Sequence, residues 1–350
     1  MSGHYFTSLD GLRAIAVGIV MIAHAGAPYP RSGGVGVDIF FVLSGFLITG
    51  ILAREFQKSS TINRKNFYIR RFLRLSPCLL ACLALYAVFG LISKGEIRFD
   101  VIGICLSYTA NYARALFDYD MESMAHCWSL AIEEQYYLLW PLAICLLEGT
   151  VKRSFTKFSI LFGFAIALSL YRAVMVGTFT VARIYFALDT HMDGLVLGSA
   201  LAYLQTALAT ESIPSAQIWK LLSRLAAPAA VAGLLVLMYI LFWWSPWMAR
   251  AGFTLAALAA SVLILDLTAS PFSLFRGCLE HKWLVYLGKI SYGLYLYHVP
   301  IYEFIGHEFQ GVPQGLRVAL MISLSIGVAA LSYHYFEARF LKLKTHFSKH

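Results

Sequence analysis

An arginine and a histidine lie on one face of the first apolar segment of the chain. Arg13 and His24 stand in LDGLRAIAVGIVMIAHAG, a stretch with almost no other charge. In an α-helix, their separation of eleven residues corresponds to a rotation about 20° beyond three full turns and to a rise of ~16 Å along the axis. Ionisable groups inside a membrane helix are costly and commonly mark a functional pathway. Arg13 could equally anchor the helix at lipid headgroups, and His24 could bond to another helix, so the pair alone leaves both interpretations open.

Carboxylates and small polar residues interrupt two further apolar segments. Glu133 and Glu134 lie one turn into HCWSLAIEEQYYLLWPL, while Asp38 opens GVGVDIFFVLSGFLI and Ser44 precedes Gly45 at its middle. Acidic side chains near the start of a helix are stabilised by the helix dipole. Small residues let neighbouring helices approach closely. An N-cap followed by a packing notch therefore explains the second segment as well as a functional site does.

Three arginines gather in FYIRRFLRLSP, before an apolar segment. Arg71 and Arg74 are three residues apart and share a helix face, with Arg70 beside them. Guanidinium groups bind phosphates bidentately, so these residues could clamp a phosphate-bearing ligand. Anchoring at the cytosolic headgroups is the alternative.

Two more stretches, ALDTHMDGLVLG and KISYGLYLYHVPI, carry polar residues that packing alone does not require. Positions 291, 295 and 298 of the second are spaced to line one helical stripe. A tyrosine-rich stripe is often an interfacial belt, but the serine and histidine point to a bundle interior. The polar residues of the two stretches are Asp189, His191, Asp193, Ser291, Tyr292, Tyr295 and His298.

The composition identifies a polytopic membrane protein. Hydrophobic residues make up 59% of the 350 residues and charged ones 13%, and the mean hydropathy is +0.68. The net charge of +9 resides mainly in short loops, where the positive-inside bias explains it, and no nucleic-acid motif accompanies it. The six cysteines show no metal-ligand spacing, which favours a packing role and predicts no metal site.

The hydropathy pattern predicts an all-α bundle of about ten transmembrane helices. An interrupted stretch near 99–112 is predicted to be re-entrant or interfacial rather than spanning. Basic residues after the second and fourth spans and in the tail place both termini in the cytosol. The predicted spans are 11–27, 36–53, 75–93, 128–148, 156–177, 191–209, 226–244, 250–268, 285–305 and 316–336.

Together, five stretches resemble the acyltransferase 3 family of integral membrane O-acyltransferases, which includes O-antigen, exopolysaccharide and Nod-factor acylases. The likeness runs nearly end to end, so residues 1–350 are expected to form one membrane acyltransferase domain without an appended SGNH hydrolase-like domain. The stretches are LDGLRAIA with its arginine-to-histidine spacing, GVDIFFVLSGFLI, RRFLRLSP, WSLAIEEQYYL and ISYGLYLYHVPI.

The resemblance implies transfer of an acyl group, usually acetyl, from acyl-CoA to a hydroxyl of a carbohydrate or related acceptor, such as a lipid-linked sugar. A hydroxyl needs a base to take its proton, and histidine titrates near neutrality, so His24 is the candidate base or acyl carrier. Arg13 and Glu133 are the other expected catalytic residues, and Arg70, Arg71 and Arg74 the expected acyl-CoA clamp. The residues expected to bind or orient the acceptor are Asp38, Ser44, Asp189, His191, Asp193, Tyr292 and His298.

The expected partners are acyl-CoA as co-substrate, the acceptor and the lipid bilayer of a bacterial inner membrane, with no tightly bound cofactor and no nucleic acid. Two other functions stay open. A proton-coupled transporter would also bury His24, Glu133 and His298, although no inverted repeat is visible. A haem-bearing cytochrome could use His24, His191 and His298 as axial ligands.

Overall fold

The computed structural model describes residues 5–211, 216–270 and 273–347, and within these ranges the chain forms helices and no strand. Ten long helices dominate. They are α1 (Thr7–His24), α2 (Gly34–Ser59), α3 (Arg64–Lys94), α4 (Cys127–Thr150), α5 (Ser154–Met175), α6 (Asp193–Thr210), α7 (Ala216–Ile240), α8 (Phe253–Ala269), α9 (Ser291–Glu308) and α10 (Gln314–Leu331).

Shorter helices fill the connections between them. Two segments are π-helices, Met248–Gly252 before α8 and Ser332–Glu337 after α10. Two others are single 3-10 turns, Glu122–Met124 and Thr345–Phe347. The remaining short α-helices are Phe99–Leu106, Ala110–Phe117, Val181–Phe186, Leu188–His191, Arg276–Leu279, Lys282–Lys289 and Ala338–Lys344.

The predicted all-α polytopic membrane bundle is confirmed. Among the described residues, eight helices are long and apolar enough to cross a membrane. The other two long helices, α6 and α9, have 18 residues each and carry more polar side chains, but most of their residues are buried inside the bundle. Each of the ten predicted spans therefore corresponds to a long helix.

The stretch near 99–112 does not form one spanning helix, as predicted. It contains the eight-residue helix Phe99–Leu106 and enters a second one, Ala110–Phe117, with a break at Tyr108, whose φ is 53°. Eight residues rise only ~12 Å, against a hydrocarbon core of about 30 Å. Val101 and Cys105 are buried, so the first helix packs on protein.

Helix α3 begins at Arg64 instead of residue 75, where the predicted span started. The Asn63 side chain accepts a hydrogen bond from the Asn66 N–H at 3.0 Å and caps the helix. The helix ends at Gly95, which takes the left-handed φ of 73° that favours glycine. All three arginines of FYIRRFLRLSP therefore lie on a helix rather than in a loop.

Helices α2 and α6 touch through glycines. A Cβ on Gly45 would lie 1.9 Å from the Leu195 carbonyl oxygen, and one on Gly198 would lie 2.0 Å from that of Val42. Next to this contact, Ser199 Oγ lies 2.7 Å from Thr49 Oγ1, inside the bundle. The close approach fixes α2, which carries Asp38 and Ser44 into the interior.

Candidate active site

Two cavities lie toward opposite ends of α1. One, which we call the arginine cavity, has a volume of about 310 Å³ and is lined by Arg13, Arg71 and Arg74. The other, the histidine cavity, has a volume of about 510 Å³ and is lined by His24 and His126. Both volumes are in the range of small-molecule sites. The chain thus offers two binding spaces, with the Arg13 and His24 pair divided between them.

His24 and His298 form a hydrogen-bonded pair at the histidine cavity. His24 Nδ1 lies 2.9 Å from His298 Nε2, and His298 Nδ1 lies 2.7 Å from the Tyr295 carbonyl oxygen and 3.1 Å from that of Leu294. A carbonyl only accepts, so His298 Nδ1 must donate, and Nε2 of a neutral His298 is an acceptor. His24 Nδ1–H then donates to it. This pattern assigns the lone pair of a neutral His24 to Nε2.

The burial of the two histidines differs in a way that suits different roles. His298 is fully buried, whereas His24 is exposed and lines the cavity. A buried ring held by two carbonyls cannot turn freely, so it presents a fixed acceptor to its partner. The exposed ring is the one that a bound molecule can reach.

A third histidine, His126, joins this pair, and sequence reasoning missed it. Its Nε2 donates to the Leu296 carbonyl oxygen at 3.1 Å, and the His126 and His298 ring centroids are 5.3 Å apart. Pro300 leaves that carbonyl without its helical donor, since proline has no N–H. The Cys82 thiol contacts the same oxygen at 3.2 Å. The proline of YHVPI was the available signal for this site.

Tyr295 lies between the two cavities. It lines both, as does Val37. The Tyr295 hydroxyl donates to the His126 carbonyl oxygen at 2.8 Å and lies 2.5 Å from Ser129 Oγ. These bonds hold the ring in place, so a fixed aromatic side chain separates the spaces on its two sides.

The cations of the arginine cavity differ in their partners. Arg13 donates to Asp10 at 2.9 Å, a contact between consecutive turns of α1. Arg74 lines the cavity with its side chain exposed, and it forms no ion pair within the described ranges. Arg74 is therefore the cation there that is available to an anionic ligand.

The other two arginines of α3 take separate positions. Arg71 lines the cavity, binds Glu134 at 3.1 Å and lies 3.5 Å from the centre of the Tyr137 ring. Arg70 lies outside it and instead binds Glu55 at 3.3 Å. Of the three arginines expected to form the clamp, the structure brings two to the cavity.

Glu133 and Ser44 also lie in the arginine cavity. The Ser44 hydroxyl donates to Glu133 Oε1 at 2.8 Å, and both side chains line the wall. Tyr292 lines it as well, and its hydroxyl donates to the Leu75 carbonyl oxygen at 3.2 Å. These three residues are therefore placed with the arginines and not beside His24.

Asp38 and His191 form a buried pair that lines neither cavity. His191 Nε2 lies 3.0 Å from Asp38 Oδ1, and His191 Nδ1 donates to the Tyr185 carbonyl oxygen at 2.6 Å. Because the Tyr185 carbonyl only accepts, Nδ1 is the donor and Nε2 faces the Asp38 carboxyl group. The Trp128 ring stacks on His191 at 5.5 Å and lines the histidine cavity. Trp128 and Tyr185, which both contact His191, therefore connect the pair to that cavity.

The two other acids of ALDTHMDG bind arginines away from the cavities. Asp193 and Arg172 are both buried and lie 2.6 Å apart, and Thr254 donates to the same carboxylate at 2.8 Å. Asp189 binds Arg183 at 2.7 Å in a partly exposed position. Each carboxylate is satisfied by its own cation.

The comparison with known proteins identifies the family. A family model described as an acyltransferase domain matches residues 6–334. The chain belongs to the acyltransferase 3 family. O-acetyltransferase OatA of Staphylococcus aureus (strain NCTC 8325 / PS 47) is 34% identical over 347 residues, which cover 96% of this chain and 57% of that protein.

A putative O-acetyltransferase of Staphylococcus aureus (strain COL) is 30% identical over 350 residues, or 97% of this chain and 58% of the relative. The chain thus spans less than two thirds of the length of these curated relatives. No solved structure matches it significantly. The family assignment confirms the resemblance of the five sequence stretches.

In this acyltransferase 3 protein, a polar cluster forms at the end of α3 around Glu122, which lies in the connection between α3 and α4. Tyr86 donates to the Glu122 carboxylate at 2.6 Å and Lys94 donates to it at 3.0 Å, with Arg98 at 3.7 Å. Burial acts to raise the pKa of Glu122, but the hydrogen bonds from Tyr86 and Lys94 outweigh it and lower that pKa below its usual range. Over the part of the chain that the structure describes, no group of histidine, cysteine or acidic side chains could hold a metal ion.

Proposed function

We propose that the protein transfers an acyl group from acyl-CoA to a hydroxyl of a carbohydrate or related acceptor, with His24 as the base. The observation that carries this proposal is the His24–His298 hydrogen bond of 2.9 Å beside a cavity that meets a second, arginine-lined cavity at Tyr295. A histidine with a preset tautomer, close to two binding spaces, suits proton transfer between two substrates.

The arginine cavity suits the nucleotide end of acyl-CoA. Its exposed cation, Arg74, has no acidic partner among the described residues, and Arg13 and Arg71 also lie on the same wall. Guanidinium groups recognise phosphates through paired N–H donors. From the positive-inside bias we propose that this end of the bundle faces the cytosol, where acyl-CoA is found. The acyl chain would extend past Tyr295 toward His24.

The chemistry needs one proton transfer in each direction. His24 Nε2 takes the proton of the acceptor hydroxyl as its oxygen attacks the thioester carbonyl carbon, and the carbon–sulfur bond then breaks. The CoA thiolate leaves, and the proton on His24 passes to that thiolate or to water. Alternatively, Nε2 attacks the thioester carbonyl carbon first and the CoA thiolate leaves. The acceptor hydroxyl oxygen then attacks the acyl-imidazole, its proton passes to the thiolate or to water, and the carbon–nitrogen bond breaks to free His24.

Acetyl is the acyl group that the relatives favour, since both are described as O-acetyltransferases. We further propose a bacterial inner membrane location with both termini in the cytosol. In that orientation the histidine cavity lies toward the outer side, as expected for an acceptor that is part of an extracellular polysaccharide or of its lipid-linked precursor.

The first experiment tests His24 directly. Purified protein in lipid nanodiscs receives radiolabelled acetyl-CoA and an extract of bacterial glycans and lipid-linked sugars, and acylated product is counted. His24→Gln should lower turnover by about 10²- to 10⁴-fold, the usual contribution of a general base. The matched control is His307→Gln, which changes an exposed histidine outside both cavities. Full turnover by a folded His24→Gln variant would overturn the proposal.

A second experiment tests the arginine cavity. Arg74→Gln should raise the KM for acetyl-CoA by about ten- to hundredfold, because a charged hydrogen bond contributes about 1.5–3 kcal/mol. Arg70→Gln is the control, since Arg70 binds Glu55 outside the cavity. An unchanged KM for Arg74→Gln would remove the clamp from the proposal.

The covalent route is tested in a single turnover without acceptor. Label retained on the protein supports an acyl-histidine, whereas unlabelled protein with intact acetyl-CoA favours direct attack. Transfer by the purified protein to any acceptor would also contradict proton-coupled transport as the sole activity.

A further inference from the structure

Two arginines line the histidine cavity without an acidic partner. Arg31 and Arg114 both contribute to its wall, and neither forms an ion pair with any described residue. Two cations near this end of the bundle are paired with acids: Arg98 binds Asp100 at 2.7 Å, and Arg183 binds Asp189 at 2.7 Å. The two arginines in the cavity wall have no such acidic partner among the described residues.

Aromatic side chains hold both guanidinium groups in place. The Arg114 guanidinium lies 3.8 Å from the centre of the Phe186 ring and donates to the Ala125 carbonyl oxygen at 3.3 Å. Arg31 lies 5.2 Å from the Tyr29 ring centre and 5.0 Å from that of Phe242. Each guanidinium has five N–H donors, and stacking occupies its faces rather than its edges. Several donors on each remain for a ligand.

The cavity contains no acid to balance these charges. None of the described residues that line it is aspartate or glutamate. In the predicted orientation the cavity faces outward, where the positive-inside bias predicts few cations, so membrane insertion does not account for the two arginines. A stacked, unpaired arginine in a cavity is a common recognition device for carboxylate and phosphate groups.

Tryptophans supply the rest of the recognition surface. Trp128, Trp243 and Trp244 line the same cavity. The C–H faces of a pyranose ring pack on aromatic rings, whose π faces carry partial negative charge. The walls thus combine surfaces for a sugar ring with donors for an anion.

We infer that the acceptor is a sugar that carries an anionic group, a carboxylate or a phosphate, held by Arg31 and Arg114 while its hydroxyl faces His24. This inference rests on the proposed function and narrows its acceptor class. A uronic acid would supply the carboxylate, and a sugar phosphate or lipid-linked sugar diphosphate would supply the phosphate.

The test measures binding before turnover. Tryptophan fluorescence of the nanodisc-embedded protein is titrated with trigalacturonate, with the neutral galactose trisaccharide of matched size, and with galactose 1-phosphate. Trigalacturonate or galactose 1-phosphate should bind at millimolar concentration or below, and the neutral trisaccharide at least tenfold more weakly. Whichever anionic probe binds more tightly identifies the source of the charge.

Variants then assign the anion to the two arginines. Arg31→Gln and Arg114→Gln should each weaken binding of the anionic probe by about ten- to hundredfold and leave the neutral probe unchanged. Arg250→Gln is the matched control, because Arg250 is an exposed arginine near Trp247 that lines neither cavity. It should change nothing.

The outcomes separate this inference from the proposed function. Equal binding of neutral and anionic probes, no binding of either anionic probe, or unaltered affinity in both arginine variants would overturn the inference. Acyl transfer to neutral sugars with normal kinetics in those variants would do the same and leave the proposed function intact. An anionic probe that binds through the arginines while acetyl-CoA is never consumed would contradict the proposed function alone.

Discussion

Replacing His298 tests whether the tautomer of His24 is set by its buried neighbour. His298→Leu removes the acceptor that lies 2.9 Å from His24 Nδ1 but keeps a side chain of similar bulk. His298→Gln offers an amide oxygen near the position of the lost Nε2. The two carbonyls that His298 bonds, those of Leu294 and Tyr295, belong to α9 and keep their helical environment.

The hydrogen bond sets the expected magnitude. Between neutral rings it is worth about 1 kcal/mol, or about fivefold. If His24 gains a proton in the transition state, the same bond becomes charge-assisted and worth about 1.5–3 kcal/mol, or about 10- to 150-fold. We therefore expect His298→Leu to lower kcat by ten- to hundredfold with little change in the acceptor KM, and His298→Gln to stay within about fivefold of the native protein.

The assay combines turnover with a direct view of the ring. Acetyl transfer is measured in nanodiscs, and ¹⁵N-histidine NMR distinguishes a protonated ring nitrogen from one with a lone pair. In the native protein His24 should show the proton on Nδ1, and His298→Leu should give a mixture of tautomers. A merely structural role for His298 would lower kcat without altering this ratio. A lone pair on Nδ1 in the native protein, or full kcat in a folded His298→Leu variant, would refute the reasoning.

Three further predictions concern stability and can be measured by thermal unfolding in detergent, followed through the labelling of buried thiols. Asp193→Ala should lower the free energy of unfolding by about 3–5 kcal/mol, because it leaves the buried Arg172 without its partner. Asp189→Ala, in a partly exposed pair, should lower it by less than about 1 kcal/mol. Similar losses in the two variants would contradict the difference in burial between the two pairs. Gly45→Ala should lower the free energy of unfolding by at least about 1–3 kcal/mol, because the new Cβ meets a backbone oxygen of α6. The control is Gly163→Ala, which should be neutral or stabilising because a Cβ there has nothing within 4 Å. Unchanged stability of the Gly45→Ala protein would refute the close contact. Since folding lowers the pKa of Glu122, its carboxylate stabilises the fold above its unfolded pKa of about 4.3 and loses that effect as pH falls through the lowered value. Glu122→Gln should therefore cost about 1 kcal/mol at neutral pH and nothing in acid, and a loss that persists in acid would contradict the charge-based explanation.

The sequence predicts those features that depend on local spacing. Hydropathy identifies each long helix, because a spanning helix is a continuous run of apolar residues. The helical period puts Arg13 and His24 on one face of α1, and the structure finds each lining one of the two cavities. Ser44 and Glu133 were singled out on separate helices, and a hydrogen bond of 2.8 Å joins them. Nothing local indicated that contact.

Partner choice among distant residues is what the sequence leaves undetermined. Three neighbouring polar residues of the chain, Asp189, His191 and Asp193, each contact a different segment. One binds Arg183, one binds Asp38 and one binds Arg172. The helical period separates their side chains. His191 and Asp193 are buried, where an unpaired charge is costly, whereas Asp189 pairs with Arg183 in a partly exposed position. The three side chains therefore make three separate contacts.

The cost of an unpaired buried charge also bears on the arginines that have no acidic partner among the described residues. Fully buried cations such as Arg172 and Lys157 are paired with acids, so a lining arginine that forms no ion pair with a described residue is an exception to that pattern. Arg74 is such an exception in the arginine cavity, and Arg31 and Arg114 are exceptions in the histidine cavity. Tyr295, which is neutral, lies between them. If the unpaired arginines of each cavity bind an anion, two anionic substrates could bind at once without sharing a cation. The reacting thioester and hydroxyl are both uncharged, and they would then meet near Tyr295.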